Sequence, residues 1–144
     1  MKHILILCVG NICRSPLAEV LLKRELPQKN IWSAGLSAMV GHPAEPLSVE
    51  IGATYGLNLS AHRAQQVVSW MCQSAELILV MERGHKAQLE KQFPLVRGKV
   101  FRLGELGKFN IADPYHQPRS AFETAYAAIE LGVAQWAPRI RQLG

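Results

Sequence analysis

Apolar positions fall along this chain in two rhythms. Continuous apolar runs predict strands buried on both faces at HILILC (3–8) and LILVM (77–81), with IWSAGL (31–36) a short second strand and VFRL (100–103) a fourth. Between them, apolar residues recur every three or four positions, the repeat of a helix with one buried face. Phe122, Tyr126, Ile129, Val133, Trp136 and Ile140 predict a last helix over 119–141, with Pro138 kinking or shortening its final turn. Leu17, Val20 and Leu21 predict a first helix that Ser15 caps, Pro16 opens and Pro27 ends. Further helices are predicted over 47–56 (closed by Gly56), 64–74 and 83–92. Residues 37–46 and 104–118 read as loops. The order β-α-β-α-α-β-α-β-α predicts an α/β fold: one domain, 1–144, with a four-stranded parallel sheet flanked by helices on both faces.

Composition narrows the class. With 49% hydrophobic and 19% charged residues in 144, the chain has the make-up of a globular domain with one sizeable core. A formal charge of +5 favours anionic partners. The basic residues are scattered rather than clustered, so a phosphorylated substrate uses that charge better than a nucleic acid does. No run approaches the length of a membrane span, and no membrane insertion is expected. Gly10 and Asn11 cut the first apolar run short, so it reads as a strand and not a secretory signal. Three cysteines, Cys8, Cys13 and Cys72, are too few for a disulfide scaffold, which points to a reducing, cytoplasmic setting.

The candidate chemistry lies in CVGNICRSP, at the end of the first strand. Ligands of parallel sheets bind beyond the carboxyl ends of the strands. As a strand-to-helix turn, Cys8-Val9-Gly10-Asn11-Ile12-Cys13-Arg14-Ser15 can converge its N–H groups on one anion, beside the positive end of a helix dipole. Gly10 and Asn11 are residue types that tolerate a left-handed backbone. The planar fork of Arg14 can grip two phosphate oxygens. Cys8 would form the floor, where thiols at helix N-termini lose their proton readily. Such a thiolate can take a phosphoryl group, with Arg14 and the loop amides holding the equatorial oxygens and Ser15 hydrogen-bonding the sulfur. A general acid is then needed, and Asp113 in IADPY is the best-placed candidate, with Glu105 and His116 nearby.

Plainer readings exist for each residue. Cys8 could be a buried structural cysteine, although the C-x5-R-S spacing argues against it. Cys8 and Cys13 could ligate a metal, but no second pair or His cluster completes a site. By spacing alone, Asp113 is a turn residue before Pro114. Cys72, in SWMCQ, reads as filler.

Taken together, CVGNICRSP, SAG at 33–35, LSAHRA at 59–64 and DPY at 113–115 resemble the low-molecular-weight protein-tyrosine phosphatases, over essentially the whole chain. The resemblance implies a phosphotyrosine hydrolase working through a cysteinyl-phosphate without metal or organic cofactor. Cys8 is then the nucleophile, Arg14 the phosphate clamp, and Asp113 the acid and later the base. Asn11, Ser15, Ser33 and His62 match a network that fixes the loop. Cys13 matches a cysteine that forms a reversible disulfide with Cys8, and Tyr115 an aromatic wall. Leu36, Met39 or Val40 supplies the other wall. SAGLSAMVG resembles the bacterial branch paired with tyrosine autokinases of capsule and exopolysaccharide export. A phosphotyrosine protein, such as that kinase, is thus the implied partner, and a monomer is favoured. Two departures bear on substrate preference: His116 follows DPY where relatives carry an aromatic or basic residue, and Gln65 stands where they often have Arg.

Two rival functions follow from the same residues. A thioredoxin-coupled arsenate reductase of this fold needs two cysteines just after the third strand, where LILVMERGHKAQ has none. A non-catalytic phosphate-binding module would not need Cys8, Arg14 and Asp113 together.

Overall fold

The first strand shows why the chain folds as it does. Strand β1 (His3–Cys8) sends Ile4, Ile6 and Cys8 to one face and Leu5 and Leu7 to the other. Residues Ile4 to Leu7 are fully excluded from solvent. Each such aliphatic side chain contributes roughly 1.5–3 kcal/mol by leaving water. A single charge at Ile6 would forfeit that gain and strand an unpaired group in the core.

A computed structural model describes all 144 residues. After β1 come α1 (Arg14–Glu25), β2 (Asn30–Gly35), α2 (Pro46–Thr54), α3 (Ser69–Ser74), β3 (Leu77–Val80), α4 (Arg83–Gln92), β4 (Val100–Arg102) and α5 (Arg119–Gln142). The sheet is parallel throughout, in the order β2-β1-β3-β4. Helices α1, α2 and α5 bury Leu17, Ile51 and Phe122 with Ile4 and Ile6. Helices α3 and α4 bury Met71, Cys72 and Leu89 with Leu5 and Leu7. Connections leave β1 toward β2 on one side, while β3 lies on the other. The crevice between the ends of β1 and β3 is therefore the switch point where such sheets bind ligands.

Three local expectations need correction. Ser15 is not the N-cap of α1; that position is Cys13, and no side chain caps the helix. The Ser15 hydroxyl bonds Asn11 and Cys8 instead. No helix spans 64–74, because residues 65–67 run extended beside the end of β2. Gly35 N–H donates to the Gln65 carbonyl and Val67 N–H to the Gly35 carbonyl, leaving a helix only from Ser69. Pro138 does not shorten α5, which continues to Gln142 with Ile140 fully buried. None of the helices is long and apolar enough to cross a membrane.

Candidate active site

The segment between β1 and α1 forms a loop whose carbonyls all face protein. The carbonyls of Cys8, Val9, Gly10 and Ile12 accept the N–H groups of Leu36, Ser37, Met39 and Glu45. His62 Nε2 donates to the Asn11 carbonyl at 2.6 Å. Ser48 Oγ donates to the Cys13 carbonyl at 3.2 Å. Six consecutive carbonyls are thus held from outside. The N–H groups from Val9 to Cys13 have no protein acceptor and lie at the start of α1. Amides left without a protein acceptor at a helix start fit an anion.

Two backbone features shape the loop. Asn11 is left-handed, with φ 58°. Gly10, contrary to expectation, is not; a Cβ there would meet Ile12 and Met39 at ordinary contact distance. The glycine that packing demands is Gly35 of SAG, where a Cβ would come 2.5 Å from the Val9 carbonyl oxygen.

Behind the loop, Asn11 is fully buried and uses its whole amide. Its Nδ2 donates to Ser15 Oγ at 2.7 Å and to Ser33 Oγ at 3.0 Å, and its Oδ1 accepts Gln65 N–H at 2.9 Å. Cys8 Sγ lies 3.0 Å from Ser15 Oγ. Asn11 and Ser15 therefore support the loop from the rear and do not line the cavity. Gln65 also donates from its side chain to the Ser33 carbonyl at 2.9 Å, so the departure at this position joins the network.

Arg14 is 1% exposed. One guanidinium nitrogen donates to Glu82 Oε2 and to the Ile111 carbonyl, both at 2.7 Å. The other terminal nitrogen is 3.6 Å from Asp113 Oδ2, and Nε has no partner. The arginine is thus anchored through one nitrogen. Its remaining edge is available for the two-point grip that suits a phosphate. Sequence reading missed Glu82; its signal was an acidic residue just past the apolar run that becomes β3. His85 braces it, since His85 Nδ1 accepts Glu82 N–H at 3.2 Å in a reciprocal capping box. Burial and then the Arg14 charge push the His85 pKa down, keeping Nδ1 an acceptor.

A cavity of about 230 Å³ opens over these groups. Cys8, Val9, Gly10, Ile12, Cys13 and Arg14 line it from the loop. Ser37 and Met39 reach it from the segment after β2, and Asp113 and Tyr115 from the segment before α5. Of the three candidates for the second wall, only Met39 lines the cavity. Leu36 is buried in the core, and Val40 points to solvent at 67% exposure. Asp113 Oδ1 accepts Tyr115 N–H at 3.1 Å, so the turn role is real and coexists with a place in the cavity. His116 lies outside the lining with φ 63°, its ring 3.8 Å from that of Tyr115. Glu105 is occupied elsewhere: hydrogen bonds from Arg102 hold its carboxyl below the usual range. Burial, followed by the Cys8, Asp113 and Glu45 charges, pushes the Cys13 thiol far up, with Arg14 opposing.

Comparison with known proteins agrees with this geometry. Residues 3–143 match the family described as low molecular weight phosphotyrosine protein phosphatase. A probable low molecular weight protein-tyrosine-phosphatase of Ralstonia nicotianae, EpsP, is 48% identical over 144 residues, covering 100% of this chain and 99% of the relative. The structure of Vibrio vulnificus Wzb in complex with benzylphosphonate superposes with a TM-score of 0.92 at 39% identity, over 96% of this chain and 98% of that one. The YwlE arginine phosphatase of Geobacillus stearothermophilus has the same TM-score, 0.92, at 29% identity, over 99% of this chain and 94% of that one. A family match from end to end, joined to a cysteine-floored anion cradle at the switch point of the sheet, leads to one conclusion: this chain belongs to the low-molecular-weight protein-tyrosine phosphatases.

Proposed function

We propose that Cys8 is the nucleophile, Arg14 the phosphate clamp and Asp113 the general acid and base. In the first step, Cys8 thiolate attacks phosphorus in line. The bond from phosphorus to the tyrosyl oxygen breaks, and the Asp113 carboxyl gives that oxygen its proton. In the second step, water attacks the phosphocysteine and passes a proton to the Asp113 carboxylate. The S–P bond breaks, inorganic phosphate leaves, and the thiolate departs toward the Ser15 hydroxyl. Arg14 and the free N–H groups of the Val9–Cys13 segment hold the equatorial oxygens throughout. One observation carries this reading. Six consecutive loop carbonyls are tied outward, while the intervening amides lack any protein acceptor above Cys8.

Tyr115 and Met39 give the cavity aromatic and apolar surface, which suits a phenyl ring. The likeness to an arginine phosphatase raises a second reading. A phosphorylated guanidinium would call for carboxylates around it, and Asp113 is the only one lining this cavity. The natural substrate we infer is a phosphotyrosine protein of the cytoplasm, a tyrosine autokinase of capsule or exopolysaccharide export, met by a monomeric phosphatase. The test compares kcat/KM for phosphotyrosine, phosphoserine and phosphoarginine peptides of one sequence. Phosphotyrosine should be strongly preferred, and Tyr115→Ala should narrow that preference. A preference for phosphoarginine would replace this reading with the second one.

A further inference from the structure

The support behind Cys8 has a direction, set at one end by Glu19 and at the other by the Gln65 N–H. Glu19 lies on α1, outside the cavity, with its side chain 17% exposed. Its Oε2 accepts from Lys23 Nζ at 2.6 Å, and its Oε1 accepts from Ser33 Oγ at 2.5 Å. A carboxylate can only accept, so the Ser33 hydroxyl must donate to it. Ser33 Oγ must then accept from Asn11, which fixes the facing atom of that amide as nitrogen. Gln65 N–H fixes the other end of the amide independently. The second Asn11 N–H goes to Ser15 Oγ, so the Ser15 proton is left for Cys8 Sγ, 3.0 Å away.

The geometry points to Glu19 as a positioning residue: its carboxylate is the terminal, charged acceptor of the Ser33–Asn11–Ser15 chain and strengthens the donation from Ser15 to the Cys8 sulfur. The assignment rests on the reading of Cys8 as nucleophile. Hydrogen bonds in such a chain polarise one another, and the charge-assisted end is the strongest. A Ser15 proton aimed at sulfur favours the thiolate when Cys8 attacks and again when it leaves. A bare through-space effect of the Glu19 charge would have the opposite sign, because a nearby negative charge disfavours a thiolate.

That opposition makes the test decisive. Alkylation of Cys8 by neutral iodoacetamide, followed on the Cys8 peptide at slightly acidic pH, reports thiolate without requiring turnover. Glu19→Leu, which removes the acceptor, should slow alkylation by about fivefold, the effect of losing one net hydrogen bond. Glu19→Gln, whose amide carbonyl can still accept from Ser33, should recover part of the rate. In a Ser15→Ala background, Glu19→Leu should have no further effect. Ser33→Ala breaks the chain from the other side and decides the matter if Glu19→Leu does not fold. Alkylation as fast as or faster than in the unaltered protein, or equal slowing without Ser15, would overturn the assignment. Should Cys8→Ser still turn over phosphotyrosine, the proposed reaction would fail, yet these alkylation arms would still decide the role of Glu19.

Discussion

Glu82 Oε2 stands 2.7 Å from an Arg14 guanidinium nitrogen and joins the end of β3 to the start of α1 across the switch point. This pair, with the Ile111 carbonyl, anchors Arg14 by one nitrogen and leaves its other edge toward the cavity. Glu82→Ala should leave Arg14 loosely aimed. Misplacement of such a group costs roughly 10²-fold, so kcat/KM should fall by about that much. The fall should lie mainly in kcat, with weaker inhibition by phosphate. Glu82→Gln, still an acceptor, should lose less. Unchanged kinetics for Glu82→Ala would separate the pair from catalysis.

Much of this arrangement was legible beforehand. The run HILILC reads as a two-sided strand, and the spacing from Phe122 to Ile140 as one helix face, and both form as read. Cys8 and Arg14, six positions apart, were readable as a pair from their residue types and local spacing, whereas Asp113, about a hundred positions further on, reads by spacing alone as a turn residue and joins them only at the cavity. Glu19 and Glu82 were not readable, since a glutamate on or beside a helix reads as ordinary solvated charge. Their contacts are with tertiary neighbours, Ser33 and Arg14, which no local pattern reveals. The helix expected over 64–74 failed for the same reason. Pairing with Gly35 draws Gln65, Gln66 and Val67 into extended backbone, and tertiary contact overrides local preference.

If Asp113 protonates the leaving oxygen, its loss should hurt in proportion to leaving-group basicity. General acid catalysis is worth about 10²–10⁴-fold. Asp113→Ala should cripple hydrolysis of phosphotyrosine and phenyl phosphate, but cost far less for an aryl phosphate with a strongly acidic phenol. Its kcat/KM profile should also lose the basic limb. Equal losses for all leaving groups with an unchanged profile would remove Asp113 from the role.

The shared place of Cys8 and Cys13 in the cavity lining predicts redox control through a disulfide between them. At neutral pH Cys13 stays a thiol, its pKa raised by burial. Peroxide should convert Cys8 thiolate to a sulfenic acid. The Cys13 sulfur then displaces hydroxide, forming the disulfide and releasing water. Thiol reductant should restore activity. Measured against its own starting activity, Cys13→Ser should recover poorly after peroxide. Full recovery would leave Cys13 a packing residue.

The lowered His85 pKa predicts a stability slope. Unfolded His85 takes up its proton near pH ~6.5, whereas the folded protein resists protonation until lower pH. The unfolded state therefore binds more protons in that window, and stability falls as pH drops through it. Thermal unfolding should show Tm decreasing below that point. His85→Asn, which can accept the Glu82 N–H without titrating, should flatten the slope. Identical slopes would mean that His85 protonates equally in both states.

The most direct measurement is a rapid acid quench during turnover of a phosphotyrosine peptide, with the phosphoryl group located by mass spectrometry. The expected result is a transient phosphoryl group on the peptide containing Cys8, formed with the burst of tyrosine and decaying as inorganic phosphate appears. It should be absent in Cys8→Ala. Undiminished turnover by Cys8→Ala, or a kinetically competent phosphoryl group on any other residue, would contradict it.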